Sequence, residues 1–187
     1  IKLFNFREPF SHAGHLICKS RLYENGTGGE TISMTDNETF ITLIRQHSPA
    51  MYRLSYGILH CEADAEDAVG EAVLRAYEKL NTLKKPERFK SWIMQITANE
   101  AKMIYRKKKR TSCVEDMGEM TPAFADDYHE LWDAVMKLDL IFREVIILYF
   151  YESLSVKEIG RVLHIAEGTV KSRLFRAKKY LKDMLED

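Results

Sequence analysis

From residue 34 onward the chain repeats apolar side chains at three- and four-residue spacing with almost no interruption, a period that fits helix and little else. Thr35 and Glu38 stand at capping-box spacing ahead of Phe40, Leu43 and Ile44, which predicts a first helix starting there. Ser48 followed by Pro49 predicts a second start, with Pro at the first helical position and Met51, Leu54, Ile58 and Leu59 buried. A third helix is expected from Asp64, with Asp67 near its positive end and Val69, Ala72, Val73, Ala76 and Leu80 inward. Pro86 is expected to open a fourth, carrying Phe89, Trp92, Ile93, Ile96 and Ile104. Further on, "VIILYFY" favours a strand by propensity. Its flanks are helical and no partner strand is in sight, so a buried helix is expected instead.

The periodicity lapses twice. Residues 111–129 hold a Gly, a Pro and no apolar stripe, which predicts a flexible acidic linker between two small helical domains, 34–110 and 130–187. The fold class expected is therefore all-α. Residues 1–33 resemble nothing after them. A purine-rich stretch can encode Gly28, Gly29 and Glu30 shortly before Met34, as a ribosome-binding site would be. Met34 is thus expected to be the native start, and 1–33 a non-native or disordered extension.

Cys18, Cys61 and Cys113 are odd in number and form no CxxC pair, so neither a disulfide framework nor a zinc site is expected, and a cytoplasmic setting fits. No apolar run approaches a membrane span. Metal-ligand spacing, nucleophile elbow and phosphate loop are all missing, and adjacent His60 and Cys61 would point apart on a helix. No enzyme and no cofactor are expected.

The 28 basic and 28 acidic side chains cancel, but they are segregated. Residues 60–74 carry Glu62, Asp64, Glu66, Asp67 and Glu71 with no Lys or Arg. Residues 102–110 carry Lys102, Arg106, Lys107, Lys108, Lys109 and Arg110 with no acid. Acid dominates again over 115–133, and the last helix is basic. Such alternation implies at least two kinds of partner surface.

The stretch "SLSVKEIGRVLHIAEGTVKSRLFRAKKYL" predicts two helices joined by a turn at 164–167, with Ser155 capping the first and Ile165 filling the angle. In the second, Val170, Leu174, Ala177 and Leu181 share one face, while Ser172, Phe175, Arg176 and Lys179 point the opposite way. Lys171, Lys178 and Lys182 flank that outer face on one side and Arg173 on the other. This is helix-turn-helix layout, whose second helix enters the DNA major groove. An Arg there can grip guanine, a ring can meet a thymine methyl, and the remaining cations can hold phosphates.

"DAEDAVGEAVLRAYEKL" and "RFKSWIMQITANEAKMIYRKKKR" resemble region 2 of the extracytoplasmic-function (ECF) sigma factors of the sigma-70 family. "AVMKLDLIFREVIILYFYESLSVKEIGRVLHIAEGTVKSRLFRAKKYLKDML" is similar to their region 4. The likeness runs from about residue 36 to 185 in the expected order. It implies a dissociable initiation subunit that binds core RNA polymerase, through the β′ clamp helices and the β flap, and directs it to promoter DNA. Asp64, Asp67 and Glu71 would then contact polymerase, with a solvated, helix-capping face as the competing role. Phe89, Trp92 and Asn99 match positions around the pocket for a flipped −10 base. For both aromatics core packing competes, and for Trp92 it outweighs. Lys102, Arg106, Lys107, Lys108, Lys109 and Arg110 would neutralise the promoter backbone. Thr169, Lys171, Ser172, Arg173, Phe175, Arg176 and Lys179 would face the −35 element. The resemblance further implies an anti-sigma partner.

Three positions depart from the family pattern. Gly70 stands where Gln is usual, at a helix cost of about 1 kcal/mol. Gly160 replaces the usual Ala where the two helices cross, still a small residue. Ala166 replaces the usual Ser, forfeiting about 1 kcal/mol of capping. The competing reading is a free-standing helix-turn-helix regulator acting as a dimer without polymerase, which leaves the first domain unexplained.

Overall fold

The computed structural model describes residues 37–83, 85–111 and 129–186. They form α1 (Asn37–Leu59), α2 (Glu62–Glu78), α3 (Phe89–Thr111), α4 (His129–Lys137), α5 (Leu140–Ile146), α6 (Val156–Leu163) and α7 (Glu167–Glu186). No strand occurs among the described residues, and the all-α expectation holds. The Thr35 cap, the N-terminal extension and the linker over 112–128 lie outside them.

Helices α1, α2 and α3 pack on one another as a first unit. Their closeness comes from α2, whose Ala65, Ala68, Ala72 and Ala76 recur on one face and are all buried. Side chains that small admit Met51, Leu54 and Ile58 from α1 and Phe89, Ile93 and Met94 from α3. Each such large side chain stabilises the unit by roughly 1.5–3 kcal/mol. Val69 and Val73, expected inside, are only half-buried at the edge of that stripe.

Three helix starts differ from expectation. Pro49 opens nothing; it lies inside one continuous α1. A mid-helix proline costs about 3 kcal/mol. Here the ring sits on the exposed side while Ile44, Ala50, Met51 and Leu54 carry the buried face through it. Ser48 is no cap either, since its Oγ donates back to Ile44 O at 2.9 Å. Helix α2 begins at Glu62, ahead of Asp64, with extended Cys61 before it and no side-chain cap. Two acids in its first turn, Glu62 and Asp64, favour the positive end of the helix instead. Pro86 begins a single 3₁₀ turn, Pro86–Arg88, and α3 follows from Phe89.

Helices α4 to α7 form the second unit. "VIILYFY" is helical as expected, but its end widens into one π turn, Ile147–Tyr151, which runs straight on from α5. That turn closes with Glu152 N donating to Ile147 O and Leu154 N to Leu148 O, both at 3.0 Å. Ser155 caps α6 in a full capping box with Glu158. His164 ends α6 in the left-handed region (φ 56°), and Ile165 N donates to Gly160 O at 2.9 Å. A Cβ on Gly160 would stand 2.9 Å from the Ile165 carbonyl oxygen, so this crossing is built for glycine itself and not for any small residue.

The two units touch. Helix α3 lies against α6, and α1 against α5 and the π turn.

Candidate nucleic-acid interface

Helix α7 buries Val170, Leu174, Ala177 and Leu181 and leaves Lys171, Ser172, Phe175, Arg176 and Lys179 exposed, the split its periodicity predicts. Phe175 is 74% exposed, an aromatic ring held in water among cations. Ser172 Oγ donates to Thr169 O at 3.0 Å, and Thr169 itself is half-buried. Lys178 is turned from the outer face toward the Tyr149 and Phe150 rings, 5.8 and 5.1 Å from their centroids. Arg173 also turns inward: its Nη1 lies 3.2 Å from Glu144 Oε1 on α5. The outward face of α7 therefore includes Lys171, Ser172, Phe175, Arg176 and Lys179.

Helix α3 carries the second set. Arg106, Lys107, Lys108, Lys109 and Arg110 are exposed along its last turns, beyond the part that packs on α1 and α2. Lys108 pairs with Asp64, and that hydrogen bond raises the lysine's pKa. Lys102, one turn earlier, reaches across to the second unit, with Nζ 2.7 Å from Glu144 Oε2. Asn99 is exposed. Phe89 is not presented to a base: it is 2% exposed, stacked on His47 at 5.7 Å and edge-on to Phe40. Trp92, half-buried, contacts Phe89 and lines a cleft of about 240 Å³ with Leu83, Arg88, Gln95 and Arg161.

On α2, Asp67 and Glu71 are exposed, whereas Asp64 is engaged with Lys108. Sequence reasoning missed two neighbours there, Leu74 at 62% exposed and Tyr77 at 54%. Asp67, Glu71, Leu74 and Glu78 fall at i, i+4, i+7 and i+11, one stripe of acid and Leu. The signal was available, because Leu74 falls off the alanine stripe that defines the buried side.

At the seam between the units Arg143 is buried, with Nη1 donating to Gly57 O at 2.8 Å and Nη2 to Leu138 O at 2.6 Å. It also contacts His60 Nε2. Burial, and then that guanidinium, push the His60 pKa down to about 4. Burial lowers Arg143 to about 10. No described helix is long and apolar enough to cross a membrane.

Residues 43–111 match the family model for sigma-70 region 2, and residues 128–181 that for sigma-70 region 4. The chain is 30% identical over 155 residues to the RNA polymerase sigma factor SigV of Bacillus subtilis, covering 81% of this chain and 93% of the relative. It is 28% identical over 171 residues to the ECF sigma factor SigW of the same organism, covering 81% and 91%. In fold it is similar to the sigma factor RpoE of Bartonella quintana, solved with the anti-sigma factor NepR. That match has a TM-score of 0.69 at 24% identity, over 80% of this chain and 98% of that one. Two sigma regions in their family order, and a relative matched over nearly its whole length, place the chain in the ECF group of sigma-70 RNA polymerase sigma factors.

Proposed function

We propose that this sigma factor divides promoter recognition between its two basic helices. Helix α7 reads the −35 element in the major groove through Lys171, Ser172, Phe175 and Arg176, with Lys179 on phosphate. Helix α3 serves the −10 element. Its exposed Asn99 and half-buried Trp92 offer an amide and a ring edge to an extruded base, while Lys102 and Arg106 through Arg110 neutralise the backbone. Phe89 acts from beneath, fixing Trp92 from inside the core. Asp67 and Glu71, with Leu74 and Tyr77 beside them, form the polymerase-facing surface of α2, where an apolar centre with an acidic rim suits protein docking. Catalysis belongs to the polymerase in this reading, the chain works in the cytoplasm where polymerase is, and an anti-sigma factor controls it, as the RpoE–NepR complex suggests by analogy.

The observation that carries the reading is Phe175, exposed among Lys171, Arg176 and Lys179 on a face opposite the buried stripe. A solvated face has no use for that ring; a thymine methyl does. Photo-crosslinking tests the division. With a benzophenone side chain at position 175 in polymerase–promoter complexes, crosslinks fall in the upstream element, and with one at position 92 they fall in the downstream element. Both probes marking the same element would contradict it.

A further inference from the structure

Trp92, Asn99, Met103, Arg106 and Arg110 recur at seven-, four- and three-residue spacing, so they lie along one line of α3. Trp92 is half-buried at the start of the line, and the other four are exposed. The chemistry changes along it. An indole and an amide come first, groups that stack on a base or bond its edge. Two guanidiniums come last, and those grip phosphate. Met103 stands at the change-over, 51% exposed, the only exposed large apolar side chain among the described residues of α3.

A single apolar side chain on a surface is ordinary and by itself means nothing. Met103 differs in its place and its support. It is not a displaced core residue, because the inward face of α3 is already filled by Phe89, Ile93, Met94, Ile96, Ala98 and Ala101. At about 1.5 Å of rise per residue it lies roughly 6 Å along the axis from Asn99 and roughly 4.5 Å from Arg106. Those are distances of one to two base steps, at about 3.4 Å each. DNA with an unpaired base at Asn99 and duplex backbone at Arg106 therefore passes from unpaired to paired beside Met103. The turn that carries it is also fixed. Buried Glu100 lies 2.6 Å from Arg75 of α2, and Ala101 is packed into the core.

Drawing a base out of a duplex leaves the face of the next base pair without its stacking partner. An apolar side chain can cover that face, and methionine is among the residues that insert between base steps. Its unbranched stem adapts to the gap, and its polarisable sulfur is favourable against an aromatic ring. A cation or an amide at this position would be desolvated there with nothing to bond.

We propose that Met103 is the strand-separating side chain of α3, packing on the last base pair that borders the −10 element and replacing the stacking of the base drawn out at Asn99. This rests on the reading of α3 as facing the −10 element.

The test uses core polymerase reconstituted with the full chain, on a promoter taken from its own start sites. One template is fully paired and the other carries a mismatched, already open −10 element. 2-Aminopurine in the −10 element reports opening of the paired template, and run-off transcription reports use of both. Met103→Ser should slow opening of the paired template about tenfold or more and leave the open template at wild-type activity. Met103→Leu should restore opening. Wild-type opening by Met103→Ser would overturn the proposal, and so would an equal loss on both templates, which marks a role in binding or folding. In either case a position-92 crosslink in the downstream element would leave the reading of α3 standing. If that crosslink falls elsewhere, the reading fails and the strand-separating role fails with it.

Discussion

The two basic surfaces are built differently. On α3 the cations from Arg106 to Arg110 are consecutive, so they point all round the helix, and no apolar or amide side chain lies among them. On α7 they occupy one face with Ser172 and Phe175 between them, opposite a buried apolar stripe. A collar of charge can grip phosphate from any side but cannot tell one base from another; a ribbon with a ring and a hydroxyl can. Each helix also gives one cation, Lys102 or Arg173, to the same carboxylate of Glu144. The outer surfaces thus differ in what they can distinguish, while the two helices meet at one shared carboxylate.

Two measurements would break or sharpen that contrast, and three further ones probe the packing around it. Replacing Lys107, Lys108 and Lys109 together with Ala should lower duplex affinity by about a hundredfold at moderate salt. It should also flatten the log K against log salt plot by about 3, whatever the DNA sequence. An unchanged slope would mean that the collar is only solvated. Arg176→Ala should cost about 1–3 kcal/mol of −35 discrimination and leave core-polymerase binding intact, as titrations with matched and mutated −35 duplexes would show. Weakened polymerase binding would move Arg176 out of the reading role.

Two glycines give smaller effects of opposite sign. Gly160→Ala should destabilise the second unit by about 1–2 kcal/mol, because the Ile165 carbonyl that its Cβ meets is backbone and cannot turn aside. Gly70→Ala has open space around it and should stabilise α2 by about 0.5–1 kcal/mol in urea unfolding.

The remaining effect concerns pH. His60 binds its proton near 6.5 in the unfolded chain and near 4 in the folded one, so between those values the unfolded state holds the extra proton. Stability is then complete above pH 6.5 and falls as pH drops toward 4. His60→Asn keeps the left-handed turn at φ 53° and removes the proton, so it should flatten this part of the profile.

What was legible in the sequence were features written at short range. The buried stripe of α7, the Ser155 cap and the turn at His164 each follow from residues within four positions of one another. Pro49 misled because a local breaker was overruled by the burial of Met51 and Leu54 against partners far along the chain. The inward turn of Arg173 was hidden for a related reason. On a helical projection it flanks the outer face, and only the folded position of Glu144, 29 residues away, draws it back. Lys102 and Glu144, or Gly57 and Ile147, leave no periodic trace in the sequence, because nothing local marks which cation or which glycine a distant unit will meet. The acid and Leu stripe on α2 was legible and overlooked.

The central claim is that this chain directs polymerase to two spaced elements, and run-off transcription tests it most directly. Purified bacterial core polymerase, with and without the chain, would be assayed over a genomic fragment library. Discrete start sites sharing a spaced −35/−10 pair, seen only when both components are present, are the predicted result. Tight duplex binding by the chain alone with no initiation would contradict it.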